Sequence, residues 1–367
     1  MQKKDNAYSG KKIFNIINIL SLCLFGGWAC QSTPTNSKQI ERRKVTPAYY
    51  HWQTKLALSS AEQEHLEGLK ANKLYIKFFD IDKTGGQAEP FPIALLDVDS
   101  TSFIPDTIVP TIFITNRSLR GLDESAIDLL ADRFYHLIDR LTGKLGAVSI
   151  PEIQIDCDWT TQTKDQYFRL LTRLKKEHLS TNQLLSATIR LHQLKYPDQT
   201  GIPPVDRGML MFYNMGEVTH WAESNSILNL SIATQYIPPP SPYPLSLDIA
   251  LPLFRWGVLF REGKMIKLIN ELGIENLQDT SRFQQIDNTH VEVVQSTYLD
   301  GYYLYKGDQF RLESSELPDL AQAVHILKDH FPRKSFTLAY YHLDMPVVKR
   351  FSHVALSELA EQFEKTE

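Results

Sequence analysis

Gln154, Asp156, Asp158 and Thr160 stand two residues apart in the stretch Pro151–Thr160, alternating with Ile153, Ile155, Cys157 and Trp159. Alternate side chains of a strand fall on opposite faces, so this spacing predicts one apolar face and one face bearing carboxylates. Asp156 and Asp158 would lie ~6.7 Å apart at Cα, close enough for their charges to couple. One carboxyl then keeps its proton to higher pH while the other stays charged, which suits general acid chemistry. Glycoside hydrolysis also needs a second carboxyl at ~5–5.5 Å for retention or ~6.5–9.5 Å for inversion. Asp80, Glu217, Asp248 and Asp344 are the residues that could supply it from elsewhere in the chain.

An acidic strand face of this kind needs an enclosure, and the flanking sequence predicts one. Strands are expected over 48–53, 73–82, 107–115, 151–160, 184–194, 208–216, 245–254 and 336–344 from their apolar alternation. Helical spacing separates most of them, over 60–71, 123–141, 164–178, 222–236, 317–331 and 354–364, and Ser59 to Glu62 reads as a capping box. Pro238 to Pro242 closes the fourth of these helices. Alternation of eight strands with helices predicts an α/β fold, a (β/α)8 TIM barrel spanning 47–367. No glycine-rich phosphate turn follows an early strand, which argues against an open doubly wound sheet. Residues 258–316 break the rhythm with two expected hairpins, turning at Glu262–Gly263 and at Lys306–Asp308. Placed after strand seven, they predict a rim insertion on the face where barrel active sites sit.

Residues near the C-terminal strand ends of a barrel converge on one site. The expected catalytic pair is Asp156 and Asp158; the expected substrate-binding residues are Gln154, Tyr213, Asn214, His51, Arg190, Asp248, Trp256, His342 and Asp344. Carboxylates, amides and aromatic rings of this kind suit sugar hydroxyls and ring faces better than phosphate. Trp52, Trp159 and Trp221 read as packing residues. His51, His342 and Asp156 lack the tight spacing of a metal site, so neither metal nor other cofactor is expected.

The N-terminus carries a different message. Lys3, Lys4, Lys11 and Lys12 precede an apolar run from Ile13 to Leu24, the pattern of a secretory signal over 1–29. Gly27-Trp28-Ala29-Cys30 resembles a bacterial lipobox with Cys30 as the lipidated residue, followed by a flexible tether over 30–46. The expectation is therefore export across the inner membrane and a lipid anchor in the cell envelope, at the periplasmic face or cell surface. Removing residues 1–29 takes four Lys and one Asp from 39 basic and 43 acidic side chains and leaves a net charge of −7. That balance argues against nucleic acid as a partner. Cys157 would be left without a second cysteine to pair with. The sequence carries no signal for an oligomer.

Two fragments carry a family resemblance. Asp156-Cys157-Asp158-Trp159 is similar to the Asp-x-Asp-x-Glu core of chitinase-type glycoside hydrolases, and Met211-Phe212-Tyr213-Asn214 to their Met-x-Tyr-Asp/Asn strand. The chain also looks like poorly characterised bacterial secreted and lipoprotein families built on glycosidase-like barrels. The resemblance implies a β-linked glycan, with N-acetyl groups, bound across the strand ends. It implies that Asp158 orients the substrate's acetamido group, that Asp156 stands before it, and that Tyr213 helps hold that group. The match departs from the family at Thr160, which falls where the acid belongs, and at Ile153, where a leading Asp belongs. Two functions follow as expectations: glycan hydrolysis with rearranged acids, or a carbohydrate-binding envelope lipoprotein that lacks the acid.

Overall fold

The computed structural model describes residues 44–83, 89–98, 103–237, 243–330 and 335–364. The expected signal segment, Cys30, most of the tether and the Pro238–Pro242 breaker lie outside them. Eight parallel strands close on themselves: Lys44–His51 (β1), Lys73–Asp82 (β2), Thr107–Ile114 (β3), Glu152–Cys157 (β4), Leu184–Ile189 (β5), Arg207–Met211 (β6), Ser246–Pro252 (β7) and Ser335–Tyr341 (β8). Each pairs with its neighbour in chain order, and β1 pairs with both β8 and β2, so the (β/α)8 TIM barrel has no free edge. The chain enters β1 at Lys44, three residues before the expected boundary, with Val45 buried.

The helices form where caps and amphipathic spacing coincide. Ser59 caps Ser60–Gly68 through the expected reciprocal box, its N–H donating to Glu62 Oε2 at 2.7 Å. Asp123 caps Glu124–Thr142, whose buried stripe of Ile127, Leu130, Phe134, Ile138 and Leu141 packs on the sheet. Two expectations fall short. β5 ends at Ile189 because Arg190 begins the short helix Leu191–Lys195, and the helix expected over 222–236 is confined to Leu230–Tyr236. Asn225 holds the preceding segment in a loop by accepting from the Ile227 and Leu228 N–H groups. The connection after β2 contributes Phe91–Ile93, an antiparallel strand paired with the end of β2.

Polar side chains inside the barrel lie in layers. Toward the N-terminal end, Lys73 pairs with Glu152 at 3.1 Å and Arg207 with Asp248 at 3.0 Å. Above them Tyr50 donates to Gln154 at 2.6 Å, and Gln154 donates to Ser186 at 3.3 Å. This corrects two site expectations. Gln154 and Asp248 face inward as alternation requires, but both are sealed below the strand ends.

The insertion spans Arg255 to Ser314, a five-stranded antiparallel sheet with its own core of Leu259, Val291, Val293, Leu304 and Phe310. Its first hairpin turns at Glu262–Gly263, both at positive φ (51° and 72°), as a tight two-residue turn requires. In the second, His290–Val293 pairs with Gln309–Ser314, but the tip is Asp300–Gly301 of a nested hairpin rather than Lys306–Asp308. Among the described residues no helix is long and apolar enough to cross a membrane.

Candidate active site

A cleft of about 440 Å³ opens at the C-terminal ends of the strands, with Asp156, Arg190, Tyr213, Asn214, Trp256, His342 and Asp344 on its walls. A second depression of about 410 Å³ holds Asp158, Thr160 and His192. The two share Arg190, Tyr213 and Asn214, so they meet over the ends of β5 and β6. Of the expected site residues, Gln154, Asp248 and His51 line neither space. Glu217 is exposed on the loop after β6, away from both.

Asp156 and Asp158 occupy contrasting places. Asp156 is 5% exposed near the end of β4 and accepts from Thr188 Oγ1 at 2.7 Å. Burial raises its pKa to about 6; Arg190 opposes the shift and Asp158 adds to it. The Asp158 side chain, just past the strand, is 52% exposed and accepts from Arg190 Nε at 2.5 Å. Arg190 Nη2 stands 4.0 Å from Asp156, so one guanidinium serves two carboxylates. Thr160 lies beyond the strand in a turn, its carbonyl accepting from the Thr163 N–H. Asp158 and Thr160 thus both lie past the end of β4 and line the same depression.

Aromatic rings form the floor. Tyr213 stacks on Tyr341 at 5.3 Å, Tyr341 meets Trp52 at 5.5 Å and Phe254 at 5.8 Å, and Phe254 meets Trp256 at 5.1 Å. The Tyr213 hydroxyl points to Met211 Sδ at 3.2 Å, and the Arg190 guanidinium lies 5.8 Å from its ring centroid. Burial raises the Tyr213 pKa, so it is a neutral hydrogen-bonding phenol. Trp52, expected as packing, lines the cleft. Trp159 and Trp221 do pack, on Tyr167 and Phe260.

The far wall comes from β8 and the insertion. His342 Nε2 bonds Asp344 Oδ2 at 2.9 Å, while Asp344 Oδ1 caps the next helix at the Val347 N–H. His51 sits buried beside this pair; burial and then the charge of His342 lower its pKa to about 4. Glu271 has its pKa raised by burial and by Asp344, with Arg350 and Arg255 pulling it back. Glu271, Asn270, Phe254 and Tyr341 were missed from sequence. Alternation on β8, where Tyr340 reaches out to the Leu356 carbonyl, would have pointed Tyr341 inward. Nothing local would have placed Glu271. Among the described residues no group of His, Cys, Asp and Glu is arranged to hold a metal ion.

The closed (β/α)8 barrel is similar to the fold of solved chitinase structures. The Group IV chitinase of Ostrinia furnacalis matches it with a TM-score of 0.51 at 12% identity, covering 87% of this chain and 99% of that one. Catalytic domain 2 of the Group II chitinase from the same organism gives 0.51 at 12%, covering 88% and 97%. At sequence level no family model and no curated protein matches.

Proposed function

We propose that this protein is a glycoside hydrolase acting on a β-linked glycan that carries N-acetyl groups, held across the C-terminal strand ends. The observation that carries the reading is the Asp156–Arg190–Asp158 group at the junction of two depressions over an aromatic floor. Burial keeps the Asp156 carboxyl protonated up to about pH 6, with Asp158 beside it adding to the shift. Asp158, the exposed member at the mouth of β4, passes a proton to the leaving glycosidic oxygen when substrate displaces Arg190, while the acetamido oxygen attacks the anomeric carbon as the glycosidic bond breaks; water then opens the bond so formed and returns a proton to the carboxyl. Asp156 supplies the first proton from below, and Tyr213 donates its phenol O–H to the acetamido oxygen. Trp52, Trp256 and Tyr341 offer ring faces to the sugars.

One observation favours a second reading, a glycan-binding protein without turnover: Arg190 Nε, 2.5 Å from Asp158 Oδ1, occupies the carboxylate that would have to act on the substrate. The separating experiment incubates wild type and Asp158→Asn with a panel of N-acetylglucosamine oligomers and measures cleavage and binding. Turnover by wild type, lost in the variant with binding kept, supports the hydrolase. Binding without turnover by wild type supports the second reading, and no binding at all ends both.

We also propose that Cys30 carries a lipid that anchors the protein in the cell envelope. Cys30→Ser should shift the protein from the membrane pellet to the soluble fraction.

A further inference from the structure

Trp256, on the wall of the cleft, is held from behind by a carboxylate that lines neither depression. Arg255–Arg261 and Gln309–Ser314 pair antiparallel in the insertion, with Trp256 directly opposite Glu313. The Trp256 indole N–H donates to Glu313 Oε2 at 2.8 Å. Ser226, on the loop after β6, donates to the same oxygen from its N–H at 2.9 Å and from its hydroxyl at 2.5 Å. The other oxygen, Oε1, accepts from Arg311 Nε at 2.6 Å and lies 2.5 Å from Nη2. Both side chains of this ion pair are fully buried.

The two oxygens take different roles. Arg311 by itself matches the charge of Glu313, and it also donates to the Val218 and His220 carbonyls, tying the loop after β6 to the insertion. Oε2 adds nothing to that charge match; it aims donors. The torsion that turns a Trp ring about its Cβ is broad and roughly two-fold, so packing alone fixes the ring face weakly. A hydrogen bond at the indole N–H sets that torsion and leaves the ring face free to meet a ligand.

Ser226 brings a second part of the cleft to the same oxygen. Its carbonyl accepts from the Met215 N–H at 2.9 Å, and the next carbonyl, of Ile227, accepts from the Asn214 N–H at 2.8 Å. Asn225 Nδ2 adds a bond to the Ser314 carbonyl at 2.7 Å, so the loop is tied to the strand that carries Glu313. Trp256 after β7 and Asn214 after β6 therefore take their places in the cleft wall through one carboxylate.

We propose that Glu313 is a positioning residue of the cleft: through the Trp256 indole N–H and Ser226 it presets the Trp256 ring face and the Asn214 segment for the glycan. The inference rests on the glycan reading for what Trp256 meets, and not for the positioning itself. A preset wall lowers the cost of binding rather than the barrier of the chemical step, so its loss should appear in KM. Removing Glu313 alone would strand a buried guanidinium, so the test uses Arg311→Met/Glu313→Leu, which takes away the whole pair. Trp256→Phe identifies the Trp256 indole N–H by the NMR peak it removes. The expected result in the double variant is at least tenfold faster exchange of that indole proton, with KM for a soluble N-acetylglucosamine tetramer at least fivefold higher and kcat within twofold. In the Trp256→Phe background the same two changes should move KM less than twofold, although Tm falls in both backgrounds. Unchanged indole exchange, unchanged KM, or an equal rise in KM in the Trp256→Phe background overturns the inference. Faster exchange with no tetramer bound or cleaved sustains the positioning and removes the glycan reading instead. If the double variant does not fold, wild type decides: a Trp256 indole proton that exchanges as fast as that of free tryptophan overturns the inference, and one at least tenfold slower sustains it.

Discussion

The two ends of the barrel bury carboxylates in opposite ways. At the N-terminal end each has its own cation, Lys73 for Glu152 and Arg207 for Asp248, and Asp248 also accepts from the Thr337 N–H at 2.7 Å. At the C-terminal end Asp156 and Asp158 share Arg190, whose Nη1 has no protein partner. His51 Nδ1 and His342 Nδ1 are likewise buried there without one. Buried polar atoms normally find partners, so a cluster left open beside a cleft marks where substrate or water completes the set. The lower layer leaves one such atom, Glu152 Oε1, against three around the cleft.

Substitutions at the two ends should therefore register in different measurements. The largest expected effect is from Asp156→Asn, which removes the carried proton and should lower turnover of an N-acetylglucosamine oligomer about 100-fold or more. Asp248→Asn breaks a matched pair far from the cleft. It should cost about 2 kcal/mol in denaturant unfolding, reduced from the fully buried case because Arg207 reaches solvent, with turnover per folded molecule unchanged. A drop in turnover instead would break the comparison.

The raised pKa of Asp156 gives a stability prediction of definite sign. Its folded pKa of about 6 lies above the ordinary aspartate value of 3.8, so the folded state holds the proton more tightly. On this account stability is fully present below pH 4 and falls as pH rises through 6. Asp156→Asn should accordingly raise Tm by a few degrees at pH 7.5 and leave it unchanged at pH 4. The smallest effect is expected from Tyr213→Phe, a rise in KM of about fivefold with kcat nearly kept, since one neutral hydrogen bond to the substrate is lost.

Period carried most of the fold in the sequence. β2 was legible to the residue because Leu74, Ile76 and Phe78 alternate between charged ends, and the Glu262–Gly263 turn because its type demands such residues. Period reports which face a side chain takes but not its height in the barrel. That is why Gln154 and Asp248 were expected in the cleft and lie beneath it. It also explains the overlong expected strand, since Asp158 and Thr160 continue the pattern on paper although β4 has already ended at Cys157. Glu271 and Asn270 reach the cleft only through the folding of the insertion back over the rim, a long-range contact that local spacing does not encode.

The central claim is that Asp156 and Asp158 form a proton-carrying pair at a working active site. The most direct measurement is the pH dependence of kcat/KM for cleavage of a soluble N-acetylglucosamine tetramer by wild type and Asp156→Asn. A wild-type activity that falls as pH rises through about 6, with that limb absent from the residual activity of the variant, is the predicted result. A tetramer that binds but is cleaved at no pH, or a wild-type profile flat across pH 6, would contradict it.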